Sequence, residues 1–375
     1  MAQPPTDDRF EQAKAQFFSG LDRFQAGDFA QAEHHYRASL ALVPGRPSTL
    51  INLAATQLRL ARPRDALANA DAALAAEADS ADALLHRATA LAQLGRPHEA
   101  LAAFDRLLAL APTLAPAWSS RGSLLRELQR LDEAAQAFRE ALRHGADPEL
   151  HAYYLASVGG AGPVPTAPRA YVQQLFDDYA DEFDQHLVGQ LQYQAHQRLV
   201  DGLAGAGGAS YASALDLGCG TGLCGPLVRP LVRRLTGLDL SPRMLEKARA
   251  LAVYDRLEQA DLVPYLSRSD ERHDLVLVAD VFIYVGDLAP VFAGVRRVMD
   301  RGIFCFTVEA LADDDAADFR LLPSLRYAHS KAYLLRLAAA HGFEPVTLAS
   351  GPVRQDQREA IDGLYVYLWR TPSAC

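Results

Sequence analysis

Two hydrophobic periods divide this chain. Up to residue 157, apolar residues recur three and four apart, as on one face of a helix, and the pattern itself returns every 34 residues. Ala32, Ala66, Ala100 and Ala134 hold that step. Gly20, Ala54, Ala88 and Gly122 keep a small residue in register with them, and Tyr36, Ala70, Phe104 and Phe138 form a mostly aromatic column. The small residues let paired helices approach closely, the aromatic column is expected to fill the gap between units, and Pro44 and Pro112 stop two of the second helices. Four helix pairs follow, over about residues 13–46, 47–80, 81–114 and 115–148, with a capping helix from Pro148 to Ser157 that turns Tyr153 and Tyr154 inward. An Ala/Leu-rich bundle without repeats shares the local spacing, but gives no reason for four alanines in register.

Gly159-Gly160-Ala161-Gly162-Pro163-Val164-Pro165 then breaks the pattern, so residues 1–157 read as one domain, 158–168 as a linker and 169–375 as a second domain. There, apolar runs of strand length alternate with amphipathic segments of helix length, which predicts an α/β domain with a seven-stranded, mostly parallel sheet. The expected strands are 212–217, 234–240, 257–260, 273–279, 302–309, 344–349 and 364–369. Ligands of such sheets bind at the carboxyl ends of the strands. After the first strand comes Asp216-Leu217-Gly218-Cys219-Gly220-Thr221-Gly222, a glycine-rich turn in which side chains are missing where a ligand must come close. A dinucleotide fingerprint would place its third glycine at 223, where this chain has Leu223.

Composition narrows the function classes. Of 375 residues, half are hydrophobic, which is enough for a core in each domain, and the formal charge of −9 disfavours a phosphate backbone as partner, so nucleic acid is not expected. Cys219, Cys224, Cys305 and Cys375 form neither a disulfide framework nor a zinc-ligand spacing, and no metal is expected. No apolar stretch reaches membrane-spanning length, and the first residues, from Met1 to Asp8, lack a signal-peptide pattern. The reading is a cytoplasmic protein without membrane contact.

The 34-residue period over about residues 13–147 resembles the tetratricopeptide repeat, with Trp118 at the repeat's tryptophan position in the last unit only and Ala70 replacing the aromatic in the second. Such repeats offer a groove lined by the first helix of each pair, here including Ile51, Leu85, Thr89, Ser119, Ser123 and Arg126. The resemblance implies a protein or peptide partner in that groove and leaves self-association open.

The Gly-x-Gly-x-Gly turn with Asp216 two residues before it resembles the nucleotide motif of class I S-adenosylmethionine-dependent methyltransferases, over about residues 169–371. The pairing of the two resemblances is similar to that of bacterial methyltransferases that carry tetratricopeptide repeats. What this implies is an S-adenosylmethionine site built from Asp216, Gly218, Cys219, Gly220, Thr221 and Gly222. Asp239 would accept the ribose hydroxyls beside Leu240, Met244 would cover one adenine face, and Asp261 and Leu262 would meet the adenine edge. Asp280, at the end of the fourth expected strand, would lie next to the methionine moiety and the reacting methyl. The segment from Tyr171 to Asp184 is similar to the lid helix of small-molecule methyltransferases, with Tyr179 the aromatic expected to touch cofactor, although an ordinary amphipathic helix docked on the sheet has the same pattern.

Methyl transfer from a sulfonium is an in-line displacement in which positive charge is lost, so positioning and desolvation matter more than acid chemistry. A base is needed only where the nucleophile carries a proton. Asp280, Tyr284, Glu309 and His329 are the candidates, and His329 alone has an unperturbed pKa near ~6.5 that suits neutral pH. The sequence after the fourth strand lacks the Asn/Asp-Pro-Pro-aromatic and Pro-Cys motifs of base methylation, and no paired-glutamate loop of the arginine-methylating kind is present. Substrate choice is left to the lid and to the insert from Asp313 to His329. The leading expectation is methyl transfer to a protein or peptide docked by the repeats. Methylation of a small molecule, with the repeats serving dimerisation or partner binding, and a non-catalytic cofactor-binding scaffold are the two rivals.

Overall fold

The computed structural model describes residues 7–181, 183, 194–207, 210–312, 314–356 and 359–371. Met1 to Thr6, Glu182, Asp184, Asp313 and Cys375, which entered the expectations above, lie outside the described residues. The chain forms two compact units, the first comprising 1–151 with 158–160 and the second 152–157 with 161–375.

The first unit is built of helix pairs: α1 (Asp7–Gln25) with α2 (Phe29–Leu42), α3 (Pro47–Arg59) with α4 (Pro63–Ala76), α5 (Ala81–Gln93) with α6 (Pro97–Leu110), and α7 (Ala115–Glu127) with α8 (Leu131–Arg143). Ala32, Ala66, Ala100 and Ala134 are all fully buried, as the period requires. The aromatic column packs inside its own helix pair as well as toward the next element, Tyr36 sharing a buried cluster with Leu53 and Phe138 meeting His151. A Cβ on Gly20 would lie 2.7 Å from Tyr36 Cε1, and one on Gly122 would lie 2.6 Å from Phe138 Cε1, so each ring sits over the small residue of its own helix pair. In the second pair Ala54 and Ala70 are buried together with Leu58 and Leu67 beside them. Helix starts repeat as well: Arg62, Arg96 and Arg130 stand at N-caps without capping side chains, and each pairs with an acid three residues on, Asp65, Glu99 or Glu133. These carboxylates lie in first turns, where the helix dipole favours negative charge.

Helix α9 (Pro148–Ser157) forms where the capping helix was expected, but its last six residues, Ala152–Ser157, belong with the second unit. There the buried Tyr153 donates its hydroxyl to the Leu325 carbonyl at 2.6 Å, and its ring packs on Tyr171 and Tyr327. The segment expected as a linker is partly tied down too, because Ala167 N–H donates to the Tyr284 carbonyl and Thr166 bridges to Val285.

In the second unit α10 (Arg169–Tyr179) and α11 (Ala195–Gly205) precede β1 (Tyr211–Leu217). Then follow α12 (Gly225–Val228), β2 (Val232–Asp239), α13 (Pro242–Ala250), β3 (Arg256–Gln259), α14 (Leu262–Arg268), β4 (Leu275–Val278), α15 (Ala289–Val298) and β5 (Gly302–Ala310). A short hairpin, β6 (Phe319–Leu321) and β7 (Tyr327–His329), leads to α16 (Lys331–Ala340) and a long closing hairpin, β8 (Glu344–Asp356) and β9 (Glu359–Arg370). Strands β3, β2, β1, β4 and β5 are neighbours in that order and parallel, while β9 runs antiparallel to β5 and pairs with β8 on its other side. Among the described residues the sheet has nine strands. The two unexpected ones are β6 and β7, inside the insert.

Both faces of the sheet are covered, which is why its central strands read as unbroken apolar runs. Along β4, Leu275 and Leu277 join one buried cluster and Val276 and Val278 the other, the strict two-residue alternation of a strand. Four phenylalanines, Phe282, Phe292, Phe304 and Phe306, fill the second cluster with ring centroids 4.8 to 6.5 Å apart. Burying each ring contributes roughly 1.5 to 3 kcal/mol. The sheet thus presents a rigid row of parallel strand ends to whatever lies at its carboxyl edge.

Candidate active site

Five strand ends line that edge: Gly218 after β1, Asp239 in β2, Asp261 after β3, Asp280 after β4 and Glu309 in β5. At the first of them Gly218, Gly220 and Gly222 have φ of +69°, +56° and +94°, left-handed conformations that only glycine adopts without strain. Their surroundings differ. A Cβ on Gly218 would strike Val281 Cγ2 at 2.3 Å, and one on Gly222 would crowd Leu251 and Tyr254, whereas a Cβ on Gly220 would meet nothing within 4 Å. Gly220 therefore borders open space. Hydrogen bonds fix the turn: Cys219 N–H donates to the Leu238 carbonyl at 2.9 Å, Gly222 N–H to the Cys219 carbonyl at 2.8 Å, and Gly220 N–H to Asp239 Oδ2 at 2.8 Å. Thr221 and Cys219 are buried in it.

Asp239 holds both sides of this corner, since its Oδ1 accepts from Ser241 N–H at 2.8 Å. Burial raises its pKa, against the pull of those backbone donors. Ser241 caps α13 by accepting from Met244 N–H, and its hydroxyl donates to Asp177 Oδ1 of α10 at 2.5 Å. Arg243 and Lys247 of α13 add ion pairs to Asp181. Asp216, below the turn and 1% exposed, accepts from the Tyr254 hydroxyl at 2.7 Å. Burial pushes its carboxyl up to about 7, with Tyr254 pulling down and Asp239 adding to the rise. Half-buried Asp261 caps α14 by accepting from Val263 N–H, and Leu240 and Leu262 are half-buried nearby in the chain. Met244 has no exposed surface, so it is a core residue and not an open face for a ring.

The other end of the edge is organised by a residue that the sequence did not single out. Arg354, from β8, is buried, donates from Nη2 to Glu309 Oε1 and reaches Asp280 Oδ1 from Nη1 at 3.4 Å. Glu309 is thus engaged by a guanidinium and 4% exposed, which removes it from the candidate bases. Asp280 keeps some exposure, with 18% of its side chain accessible, and stands in the left-handed region at φ +58° with its N–H donating to Thr307 Oγ1 at 2.8 Å. Strained backbone of this kind costs roughly 1 to 3 kcal/mol and concentrates at functional sites. Burial raises the Asp280 pKa, and Arg354 and Arg326 oppose the shift.

His329 is corrected outright. It is fully buried, its Nε2–H donates to the Val285 and Gly286 carbonyls at 3.0 Å each, and the ring stacks on Tyr333. Carbonyls only accept, so the proton is on Nε2. Burial lowers its pKa to about 4, the reverse of a poised base. Tyr284 remains at the edge, half-buried, its pKa pushed up to about 12 by burial. Phe176 of α10 meets its ring edge-on at 5.5 Å, and Phe183 packs on both Phe176 and Tyr179. The aromatic segment expected as a lid therefore lies beside Tyr284 and Ser241.

Comparison with known proteins follows the same division. Residues 215–306 match a model described as "Methyltransferase domain", and residues 51–115 and 114–151 match "Tetratricopeptide repeat". The chain is 29% identical over 89 residues to Nodulation protein S of Bradyrhizobium diazoefficiens, covering 24% of this chain and 43% of that protein. It is 37% identical over 121 residues to Methyltransferase-like protein 27 of Homo sapiens, covering 32% of this chain and 46% of that protein. The chain spans less than half the length of each of these curated relatives. Among solved structures, magnesium protoporphyrin IX methyltransferase from Synechocystis PCC 6803 with bound SAH is similar at 15% identity and a TM-score of 0.43, covering 54% of this chain and 99% of that one. Over residues 215–306 the chain is thus similar to methyltransferase domains and over 51–151 to tetratricopeptide repeats, and the parallel strand order β3-β2-β1-β4-β5 spans the first of these regions.

Proposed function

We propose that the second unit binds S-adenosylmethionine over the glycine turn and transfers its methyl to a protein or peptide presented by the repeats. One observation supports the cofactor most: of three left-handed glycines, the middle one borders open space and is tied to a carboxylate at the end of the neighbouring strand. A bound nucleoside fits that arrangement, because each Asp239 oxygen has a lone pair left for a ribose hydroxyl after its backbone bond. Asp261 would take the adenine edge, with Leu262 beside it. Leu240, Cys219 and Thr221 would shape the walls, and Tyr179 would close over them with α10. When bound, S-adenosylmethionine supplies an electrophilic methyl on a sulfonium.

The chain's own residues then position and desolvate. The α10 aromatics, Phe176 against Tyr284, exclude water from the edge. Asp280 is the candidate that can receive a proton from a nucleophile, at its partly exposed carboxylate, while Arg354 keeps Glu309 behind it neutralised. Tyr284 would orient the acceptor. The repeats would raise the local concentration of a macromolecular substrate. The same aromatic surround of Tyr284 supports the second reading, a small-molecule acceptor with the repeats binding a pathway partner or a second copy. No described helix is long and apolar enough to cross a membrane, and the reading places the reaction in the cytoplasm.

The test uses the full chain with methyl-labelled S-adenosylmethionine and a lysate split into macromolecular and small-molecule fractions. It is run beside a full-length variant with Thr89→Arg and Ser123→Arg in the first helices of two repeats. Label in a protein band that the double variant loses is the expected result. Label confined to the small fraction, unchanged by the variant, would overturn the protein acceptor in favour of the second reading, and absence of label from both would leave a cofactor-binding scaffold.

A further inference from the structure

Beneath the glycine turn, one aromatic side chain packs against three glycines at once. Tyr254 lies just before β3, and its ring is among the groups a side chain would meet at Gly222, beside Leu251, at Gly225, beside Val253, and at Gly237, beside Leu257. A Cβ at those positions would come within 3.1, 2.7 and 2.9 Å of Tyr254 ring atoms. Gly222 belongs to the turn, Gly225 opens α12 and Gly237 is in the middle of β2. Gly225 and Gly237 are not in the left-handed region, so their need for glycine is one of space. The same residue ends in a hydroxyl 2.7 Å from Asp216 Oδ2. Among the described residues this is the side-chain donor close to Asp216, and a hydrogen bond to a buried carboxylate favours its charged form.

We propose that Tyr254 is a positioning residue of the glycine turn, its ring packed under Gly222 and Gly225 and its hydroxyl fixing the Asp216 carboxylate buried below the turn. This rests on the reading that the turn binds S-adenosylmethionine, a ligand with net positive charge. Ionised Asp216 favours such a ligand, so affinity rises as this carboxyl loses its proton near neutral pH. The groups that face Asp216 are Tyr254, Asp239 and the buried thiols Cys219, Cys224 and Cys305. The thiols are held well above neutrality by burial, and Asp239 is raised by burial.

The experiment is calorimetric titration of the full-length chain and its variants with S-adenosylmethionine from pH 5.5 to 8.5, the curves compared with one another so that the titration of the ligand's own amine, common to all, does not enter the differences. Tyr254→Phe keeps the ring and removes the hydroxyl. Its rise in affinity is expected about one pH unit higher than the wild type's, because the carboxylate has lost a hydrogen bond that favoured its charged form. Asp216→Asn, checked by thermal melting, is expected to lose the rise that belongs to this group. A Tyr254→Phe curve superimposed on the wild type's, or an Asp216→Asn chain that keeps the full rise, would overturn the proposal while leaving the cofactor reading intact. Failure of the wild type to bind at all would remove the cofactor reading and this inference with it.

Discussion

The two ends of the carboxyl edge solve the same problem by different means. At the β1–β2 end the geometry is local: nine consecutive residues from Ala214 to Gly222 contain the end of β1, the turn and its three left-handed glycines, and Asp239 closes the corner with two backbone hydrogen bonds. At the β4–β5 end it is assembled from afar, since Arg354 reaches back 45 positions to Glu309 and 74 to Asp280. The first end is a backbone device that has no room for a side chain at Gly218 or Gly222. The second is a buried charge cluster that tolerates no missing partner. The contrast teaches that a corner built of backbone can be encoded in a short motif, while a buried charge cluster depends on tertiary pairing; on the proposed function the first holds the cofactor and the second faces the acceptor.

The largest effect expected from breaking the second end is Arg354→Met. It leaves Glu309 and Asp280 without their guanidinium, and loss of one partner of a buried pair costs about 3 to 5 kcal/mol. An Arg354→Met chain melting within a degree of the wild type would show that the cluster is not structural. Next comes His329, whose folded pKa of about 4 lies below its unfolded value, so the unfolded chain binds the extra proton and stability falls as pH drops from ~6.5 toward 4, by roughly 3 kcal/mol. His329→Gln is expected to flatten that part of the pH–stability curve and to leave the pH profile of methyl transfer unchanged, and a lost acidic limb of activity would restore it as a base. Smallest is the contrast inside the turn. Gly220→Ala pays only for its backbone conformation, about 1 to 2 kcal/mol, with no clash, whereas Gly218→Ala must also displace Val281, a further 1 to 3 kcal/mol. Thermal melts of the two should differ in that order, and equal melts would mean that Val281 yields freely.

The repeats were legible because their buried alanines recur at a fixed interval, and the central strands, β4 and β5 above all, because burial on both faces leaves nearly unbroken apolar runs. The close fit of Tyr36 over Gly20 and of Phe138 over Gly122 was not, since a period alone does not say that one ring fills its own pair as well as the gap to the next. Strands β6 and β7 escaped notice because they are three residues long and interrupted by Pro323 and by Leu325 at φ +62°. Arg354 was missed for a related reason. Gly351-Pro352 reads as the end of a strand, but β8 continues past it through a register shift between Pro352 and Arg354, and such irregularities re-aim side chains. An arginine within an apolar hairpin was the available signal. His329 misled because its intrinsic pKa says nothing about burial, and Met244 because a helix start does not reveal which way its side chain packs.

The central claim is that the glycine turn and Asp239 together hold S-adenosylmethionine. Its most direct test is calorimetry of the full-length chain and of Asp239→Ala with this one ligand at neutral pH. Binding by the wild type, weakened in the variant by ~1.5 to 3 kcal/mol as for hydrogen bonds to a charged group, is the predicted result. Equal affinity in the two chains, with both folded, would contradict it.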